Sequence, residues 1–385
     1  MIETFIIYNF ILLSSTTLIF YSEKCRYHFD RNILLFLAWS IVFIPAAIRY
    51  NIGIDYRGYV AIYNAITENQ SSYVEPGFKT LIQLVKSIFD NATGLFVITS
   101  GLIYYLVFKA YPNKKSYIIN YVFIGMFYLL SYTFIRSYIV LGFTLLAVMI
   151  YLQYKKYALL KFFFLIILAT LFHKSAIILL VLPLFQKKLM PWLLKKYNLI
   201  ILALLMLILI FRFQLVDMII YSPLIEMMGY SHYLTNEHYM KRITLGSGLG
   251  VLFKIIILLL PIIFAKQLIN FNPRFSIIVS SCIYAFIALS LGLTYFIFDR
   301  IQYLFFFAYF LSPYSVMIVA DTSKHKFIIK MFTYIILLGI FILFQKEINS
   351  NQSSFCEGHR SSPYVTIFNK SSDQSLEYLD SKCEF

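Results

Sequence analysis

Apolar residues occur along this chain in long stretches, and polar residues are mostly confined to the gaps between them. The clearest apolar stretches are 33–48, 117–135, 137–153, 197–211, 275–298 and 327–344. A helix needs about 20 mostly apolar residues to cross the hydrocarbon core of a bilayer. The pattern therefore predicts an all-α polytopic membrane protein.

The full pattern predicts about 12 transmembrane helices. They are expected at 2–21, 33–48, 92–108, 117–133, 137–153, 158–172, 174–186, 197–213, 248–264, 275–298, 301–319 and 327–344. The runs 158–172 and 174–186 are short and are joined at FHKSA, so they are also compatible with one broken span. The first run lacks a basic segment before it and a small-residue cleavage site, and we expect it to remain as the first span.

Charge separates the loops into two alternating classes. The chain is 60% hydrophobic and 13% charged, with a net charge of +15. One class carries eighteen of the 33 Lys and Arg but three of the 18 Asp and Glu, and the positive-inside rule assigns it to the cytoplasm. This class comprises 22–32, 109–116, 154–161, 187–196, 265–274 and 320–330.

This assignment places both termini and the loops 49–91 and 214–247 outside the cytoplasm. Residues 1–348 are then expected to form a single integral membrane domain, followed by an extracytoplasmic tail at 349–385. Because loop asymmetry accounts for the basic surplus, and no zinc-finger, helix-turn-helix or P-loop spacing occurs, no nucleic-acid partner is expected.

The outer loop 49–91 has helical periodicity of its own. After Pro76, the residues Phe78, Leu81, Ile82, Val85 and Phe89 fall on one helical face, as in an amphipathic helix. Tyr56, Tyr59, Val60 and Tyr63 repeat the spacing. We predict two short helices at the outer interface, whose tyrosines either anchor them there or bind a ligand.

Charged residues gather at the predicted outer ends of the spans, where holding them near hydrocarbon costs about 2.5–3.5 kcal/mol each. Internal ion pairs, such as Asp299 with Arg136 or Asp55 with Arg57, are one explanation. However, the cations outnumber the acids, which indicates an anionic ligand, and guanidinium groups suit phosphate. The set comprises Arg49, Asp55, Arg57, Glu75, Arg136, His173, Lys174, Lys241, Arg242, Asp299 and Arg300.

The remaining chemistry-bearing residues are less specific. The histidines lack metal-ligand spacing, and no Gly-x-Ser-x-Gly elbow or nucleotide fingerprint occurs, so neither a metal nor a cofactor is expected. His173 is a lone histidine with either a structural or a catalytic role. Cys356 and Cys383 lie in the outer tail, where they could form a disulfide or remain as two free thiols.

Six segments in order resemble the EpsG-like, Wzy-type polysaccharide polymerases of bacteria. They are RYNIGIDYRGYVAIYN at 49–64, EPGFKTLIQLV at 75–85, IRSYIVLGFTLLA at 135–147, FHKSAIILLVLPLF at 172–185, FDRIQYLFFF at 298–307 and PYVTIF at 363–368. The resemblance extends over roughly 45–368. It implies a multi-pass glycosyltransferase of the GT-C class in the bacterial inner membrane.

Such an enzyme would move a growing glycan from undecaprenyl pyrophosphate onto a lipid-linked repeat unit. We expect Arg136 and Arg300, supported by Arg49, to stabilise the leaving group, and either His173 or Asp55 to act as the base. Tyr56 and Tyr59 could stack on sugar rings. Further substrate contacts are expected from Arg57, Glu75, Lys174, Lys241, Arg242 and Asp299.

Several alternatives remain open from the sequence. A transporter or flippase, an acyltransferase acting on glycans and an O-antigen ligase are also multi-pass proteins. Membrane lipids and the lipid-linked oligosaccharide are the expected partners, and a chain-length regulator protein is a candidate partner. The sequence does not specify the sugars or their linkage.

Overall fold

The computed structural model describes residues 2–67, 74–153, 156–184, 186, 188–220, 240, 242–243, 248–350 and 362–370. Within these residues the regular elements are helices, joined by short turns and two isolated β-bridges. Seven of the helices are long and apolar enough to cross a membrane, or up to nine spans if each of two bent pairs counts as one. The prediction of an all-helical, multi-pass membrane protein is confirmed, but the count of about 12 spans is not.

Helix breaks inside apolar runs explain the lower count. The predicted span 117–133 divides into Ser116–Phe127 and Leu130–Thr133, and 158–172 contains the 13-residue helix Ala158–Thr170. At 1.5 Å per residue, helices of this length fall well short of a hydrocarbon core about 30 Å thick. The predicted span 174–186 forms a 3₁₀-helix at Lys174–Val181.

The chain divides into two compact units. The first comprises Met1–Ile150, Leu160–Ile177 and Leu337–Phe385, and the second comprises Tyr151–Leu159 and Ile178–Ile336. Whether 1–348 acts as one membrane domain stays a prediction.

The first unit contains nine helices among the described residues, together with the end of a long helix that begins in the second unit. They are α1 (Ile2–Ser22), α2 (His28–Ala47), α3 (Tyr56–Thr67), α4 (Pro76–Lys86), α5 (Thr93–Ala110), α6 (Ser116–Phe127), α7 (Leu130–Thr133), α8 (Ile135–Leu152) and α9 (Ala158–Thr170). Helix α1 packs on α2 and α6, and α2 also packs on α5.

Polar side chains connect the apolar helices of this unit. The Asn120 amide on α6 donates to Ser15 Oγ and Thr16 Oγ1 on α1 at 2.9 and 3.0 Å. The Glu23 carboxylate accepts from Lys115 N and Tyr117 N at the start of α6, so it satisfies backbone donors that a helix N-terminus leaves unpaired. The predicted cytoplasmic loops 22–32 and 109–116 are therefore in direct contact.

The two short helices predicted within 49–91 are present as α3 and α4, and their location at the outer interface stays a prediction. Phe78, Ile82 and Val85 on α4 are buried, as are Tyr56 and Tyr59 on α3. The tyrosines therefore pack inward, and the Tyr56 ring stacks on the Phe96 ring with 4.1 Å between the two ring centroids.

Part of the predicted tail packs back onto the first unit at the end of α2. Tyr50 N donates to Val365 O at 2.9 Å, and Ile367 N donates to Ile48 O at 3.0 Å. The Tyr364 hydroxyl donates to Pro45 O at 2.8 Å. Residues 362–370 are thus an integral part of the unit, whereas Cys356 and Cys383 lie outside the described residues.

The second unit contains the remaining helices. They are α10 (Leu189–Ile210), α11 (Arg212–Ile220), α12 (Leu249–Ile263), α13 (Ala265–Phe271), α14 (Ser276–Gly292), α15 (Phe296–Gln302), α16 (Phe307–Ala320) and the start of α17 (Lys326–Ser350). Helix α14 packs against α10, α12 and α16. The Arg274 guanidinium donates to Tyr151 O at 2.6 Å.

Candidate functional site

A carboxylate on the first unit contacts two basic side chains at once. Glu75 Oε2 accepts from Arg136 Nη1 at 2.6 Å, and Glu75 Oε1 lies 3.1 Å from His173 Nδ1. Glu75 immediately precedes α4, Arg136 lies in the first turn of α8, and His173 follows α9. All three are candidates from the sequence, which offered Asp299 as an ion-pair partner of Arg136 in one of two explanations. In the structure, Arg136 pairs with Glu75.

A close backbone approach brings Glu75 to His173. Pro76 begins α4, and its missing N–H breaks no hydrogen bond because the first N–H groups of a helix have no partner within the helix. Gly77 N donates to Leu171 O at 2.9 Å, and a Cβ at Gly77 would lie 2.7 Å from the Leu171 Cβ. A glycine is therefore required at this crossing, which lies two residues from both Glu75 and His173.

A second close approach sets the position of Arg136. Gly53 has φ +99°, and a Cβ there would lie 2.5 Å from Tyr132 O. Ile54 N donates to Thr133 Oγ1 at 3.2 Å. The loop before α3 thus packs on the turn that starts α8, and the Tyr59 hydroxyl lies 3.5 Å from Arg136 N.

The burial of these side chains differs in a way that affects their chemistry. The Glu75 side chain is 9% exposed, whereas those of Arg136 and His173 are 31% and 35% exposed. Burial alone would raise the pKa of the Glu75 carboxyl, but the His173 hydrogen bond and the Arg136 charge outweigh it and lower the pKa to about 2. Glu75 is therefore a carboxylate at neutral pH, enclosed beneath two accessible basic groups.

The other candidates of the first unit differ in how far they are exposed. Asp55 is exposed at the start of α3, within electrostatic range of Tyr59. Lys174 is exposed beside His173, and Arg57 is half-buried on α3. Burial raises the pKa of the Tyr59 phenol even though Arg136 opposes the shift.

Arg49 lies inside the first unit rather than on its surface. Its side chain is among the largest that are fully buried, and the residue is 1% exposed. The guanidinium donates to Ala46 O and to Ser100 Oγ, and it lies 5.0 and 4.7 Å from the rings of Phe96 and Tyr132. A cation that binds a carbonyl near the end of α2 stabilises that helix C-terminus, so the packing gives Arg49 a structural role.

The remaining candidates belong to the second unit. Asp299 accepts from the Gln302 amide and from the Tyr303 hydroxyl, the latter at 2.9 Å. Arg300 is exposed on α15, and the Arg242 guanidinium lies 5.4 Å from the Phe213 ring. Lys241 lies outside the described residues. Among the residues that the structure describes, no group of three or more His, Cys, Asp or Glu side chains is arranged to hold a metal ion.

The sequence did not reveal that the Glu75 carboxylate contacts both Arg136 and His173. Glu75 was predicted as one more substrate contact, and Gly77 was given no role. The available signal was the segment EPG, in which a carboxylate precedes a helix-starting proline and a glycine follows. That signal indicates a close approach, but it does not identify Leu171 as the neighbour.

The fold and this group define an all-helical, multi-pass membrane protein with a carboxylate-linked pair of basic residues next to its spans. The EpsG family model matches residues 32–356, and the chain belongs to the EpsG family, which is associated with Wzy-type polymerases. No curated protein and no solved structure matches the chain.

Proposed function

We propose that this protein is a polysaccharide polymerase. It transfers a growing glycan from undecaprenyl pyrophosphate onto a lipid-linked repeat unit, on the outer face of the bacterial inner membrane. The observation that carries the proposal is the pairing of Arg136 and His173 through Glu75 in a chain of the EpsG family. A GT-C class assignment is part of this proposal.

Arg136 is the proposed stabiliser of the leaving group. A guanidinium has five N–H donors, and the Glu75 contact uses Nη1, so further donors remain for phosphate oxygens. With about a third of its side chain exposed, Arg136 can reach a pyrophosphate held at the membrane surface. A charge-stabilising donor of this kind is worth about 3–4 kcal/mol in the transition state. Arg300 is proposed as the second such group.

The acceptor hydroxyl must lose a proton as it attacks the anomeric carbon. Positioned bases contribute about 10²–10⁴ in rate. His173 and Asp55 are the two candidate bases. The energy of the transfer is already held in the glycosyl pyrophosphate bond, so the reaction needs no nucleotide.

The other sequence candidates keep narrower proposed roles. Lys174 and Arg57 would contact phosphate or sugar, and Lys241, Arg242 and Asp299 are proposed as further contacts to the lipid-linked substrates. Tyr56 and Tyr59 are largely enclosed by protein, so their proposed contribution is to support α3 rather than to stack on a sugar. Membrane lipids and a chain-length regulator protein are proposed partners.

Deletion of the gene tests the proposal through the length of the surface glycan. We expect a single repeat unit on the surface, because ligation continues while chain extension stops. Complementation with Arg136→Ala or Arg300→Ala should give the same single-repeat glycan with the protein present in the membrane. Lys in place of either arginine should restore extension only in part, because it keeps the charge but loses the planar fork.

The rival functions give different outcomes in the same strain. Loss of a transporter would remove the surface glycan altogether, and loss of a ligase would leave polymer on the lipid carrier. Lys196→Ala, in a predicted cytoplasmic loop, is the control and should keep full-length chains. A normal ladder from the deletion strain would overturn the polymerase proposal.

A further inference from the structure

Glu75 differs chemically from the two basic groups that it joins. Its side chain is 9% exposed, and each of its carboxylate oxygens already has a basic partner. Its pKa is held near 2, whereas an effective general base has a pKa near the working pH. Glu75 is therefore poorly suited to take a proton from a substrate or to bind an anionic one.

The geometry instead defines the proton positions on the neighbouring imidazole. A carboxylate accepts hydrogen bonds but cannot donate them when ionised. The nitrogen of His173 that faces Glu75 is Nδ1, at 3.1 Å. That nitrogen must therefore carry the hydrogen, and in the neutral ring Nε2 is left with its lone pair.

We infer that Glu75 is a positioning residue, which holds His173 in the tautomer that makes its Nε2 the base for the acceptor hydroxyl. This inference rests on the proposed function and selects His173 over Asp55 as the base. Glu75 acts through His173 and touches no reacting atom.

The reaction exchanges one bond at the anomeric carbon for another. The acceptor hydroxyl oxygen forms a new bond to the anomeric carbon of the donor glycan, and its proton passes to His173 Nε2. The bond from that carbon to the pyrophosphate oxygen breaks, and the pyrophosphate leaves with the electron pair. The imidazolium that forms is stabilised by the Glu75 carboxylate at Nδ1, and its proton is later released to water.

The Glu75 carboxylate also holds the proposed leaving-group site at Arg136 close to the proposed base His173. Arg136 Nη1 and His173 Nδ1 contact different oxygens of one carboxylate. A leaving pyrophosphate at Arg136 and an attacking hydroxyl at His173 would therefore be held near each other by one short side chain.

The tautomer of His173 can be measured without any enzymatic assay. The full chain, labelled with ¹⁵N-histidine, is reconstituted in lipid nanodiscs, and the His173 signals are assigned by their loss in His173→Gln. The ¹⁵N shifts distinguish a protonated nitrogen from one with a lone pair. In the neutral imidazole of the wild type, we expect Nδ1 to carry the hydrogen and Nε2 to carry the lone pair.

Variants at Glu75 test the cause. Glu75→Ala removes the acceptor, so a substantial Nε2-protonated population should appear, while Glu75→Asp should restore the original tautomer in part. Glycan extension should fall by about 10²-fold in Glu75→Ala, and the double variant with His173→Gln should be no slower than His173→Gln alone. Asp90→Asn, an exposed carboxylate beyond α4, is the matched control and should change neither property.

Two outcomes overturn the inference. One is the finding that Nε2 of the neutral His173 ring is protonated in the wild type. This measurement does not depend on the folding of any variant. The other is an unchanged tautomer in Glu75→Ala when the other five histidines keep their wild-type shifts. Neither outcome bears on the polymerase proposal, which fails separately if the deletion strain makes normal chains.

Discussion

At the scale of single residues, Glu75 explains why two accessible basic groups remain close together. Arg136 and His173 would otherwise repel each other whenever the imidazole is protonated. A carboxylate beneath both offsets that repulsion, and its own charge is favoured by the same two contacts. The ion pair and the hydrogen bond are thus mutually dependent.

The acid stability of the protein should report this arrangement. The pKa of the Glu75 carboxyl is lowered from 4.5 to about 2 on folding, so its contribution to stability is complete above about pH 4.5 and is lost as the pH falls through about 2. The difference in melting temperature between the wild type and Glu75→Gln should therefore shrink from pH 5 towards pH 2. A constant difference over this range would contradict the lowered pKa.

Arg49 should behave as a structural residue. Arg49→Ala removes a buried side chain packed between Phe96 and Tyr132, and large-to-small changes of this kind cost about 2–5 kcal/mol. We expect a lower melting temperature and less protein in the membrane. Lys79→Ala, exposed on α4, should change stability by less than about 0.5 kcal/mol. Full stability of Arg49→Ala with loss of glycan extension would instead favour a substrate contact.

At the scale of elements, the junction between α4 and the end of α9 determines whether the three residues meet. Gly77 leaves no room for a side chain against Leu171. Gly77→Ala should separate the two backbones and weaken the Glu75–His173 contact, with loss of glycan extension. Gly58→Ala on α3 is the matched control, because nothing lies within 4 Å of its added Cβ, and alanine is the better helix former by about 1 kcal/mol. Equal extension by the two variants would contradict this role for Gly77.

The sequence predicted some of these elements well and others poorly. Helix α4 was predictable because Phe78, Ile82 and Val85 recur at helical spacing, which is a local property. The Glu75 contacts join residues 61 and 98 positions apart, and no local pattern carries that information. The burial of Arg49 was missed because it depends partly on residues 362–367, which return to the end of α2 from the other end of the chain.

Hydropathy also overcounts spans where helices break inside apolar stretches. The apolar run 174–186 was predicted as a span, but its residues 174–181 form a 3₁₀-helix. The apolar composition of a segment shows that it prefers hydrocarbon to water. It does not show where the helix breaks, because that depends on the backbone geometry.

At the scale of the whole molecule, both ends of the described chain meet near α2. Tyr364 N donates to Thr4 Oγ1 at 2.8 Å, so the start of α1 and the segment 362–370 lie at the same end of the first unit. Which side they face stays a prediction based on loop charge.

Enzyme fusions test the orientation. Alkaline phosphatase should be active when fused after residue 348 and inactive after residue 192, because its disulfides form only outside the cytoplasm. The reverse pattern would put the Glu75 group on the cytoplasmic side, where the proposed lipid-linked substrates are not polymerised.

The most direct test of the central claim is chain extension by the purified protein. The full chain in lipid nanodiscs is given undecaprenyl-pyrophosphate-linked repeat units from the host strain, without nucleotide sugars, and the products are separated by size. We expect a ladder of lipid-linked glycans with release of one undecaprenyl pyrophosphate per unit added, and no ladder from Arg136→Ala or His173→Gln. Folded wild-type protein that leaves the repeat units unextended would contradict this claim.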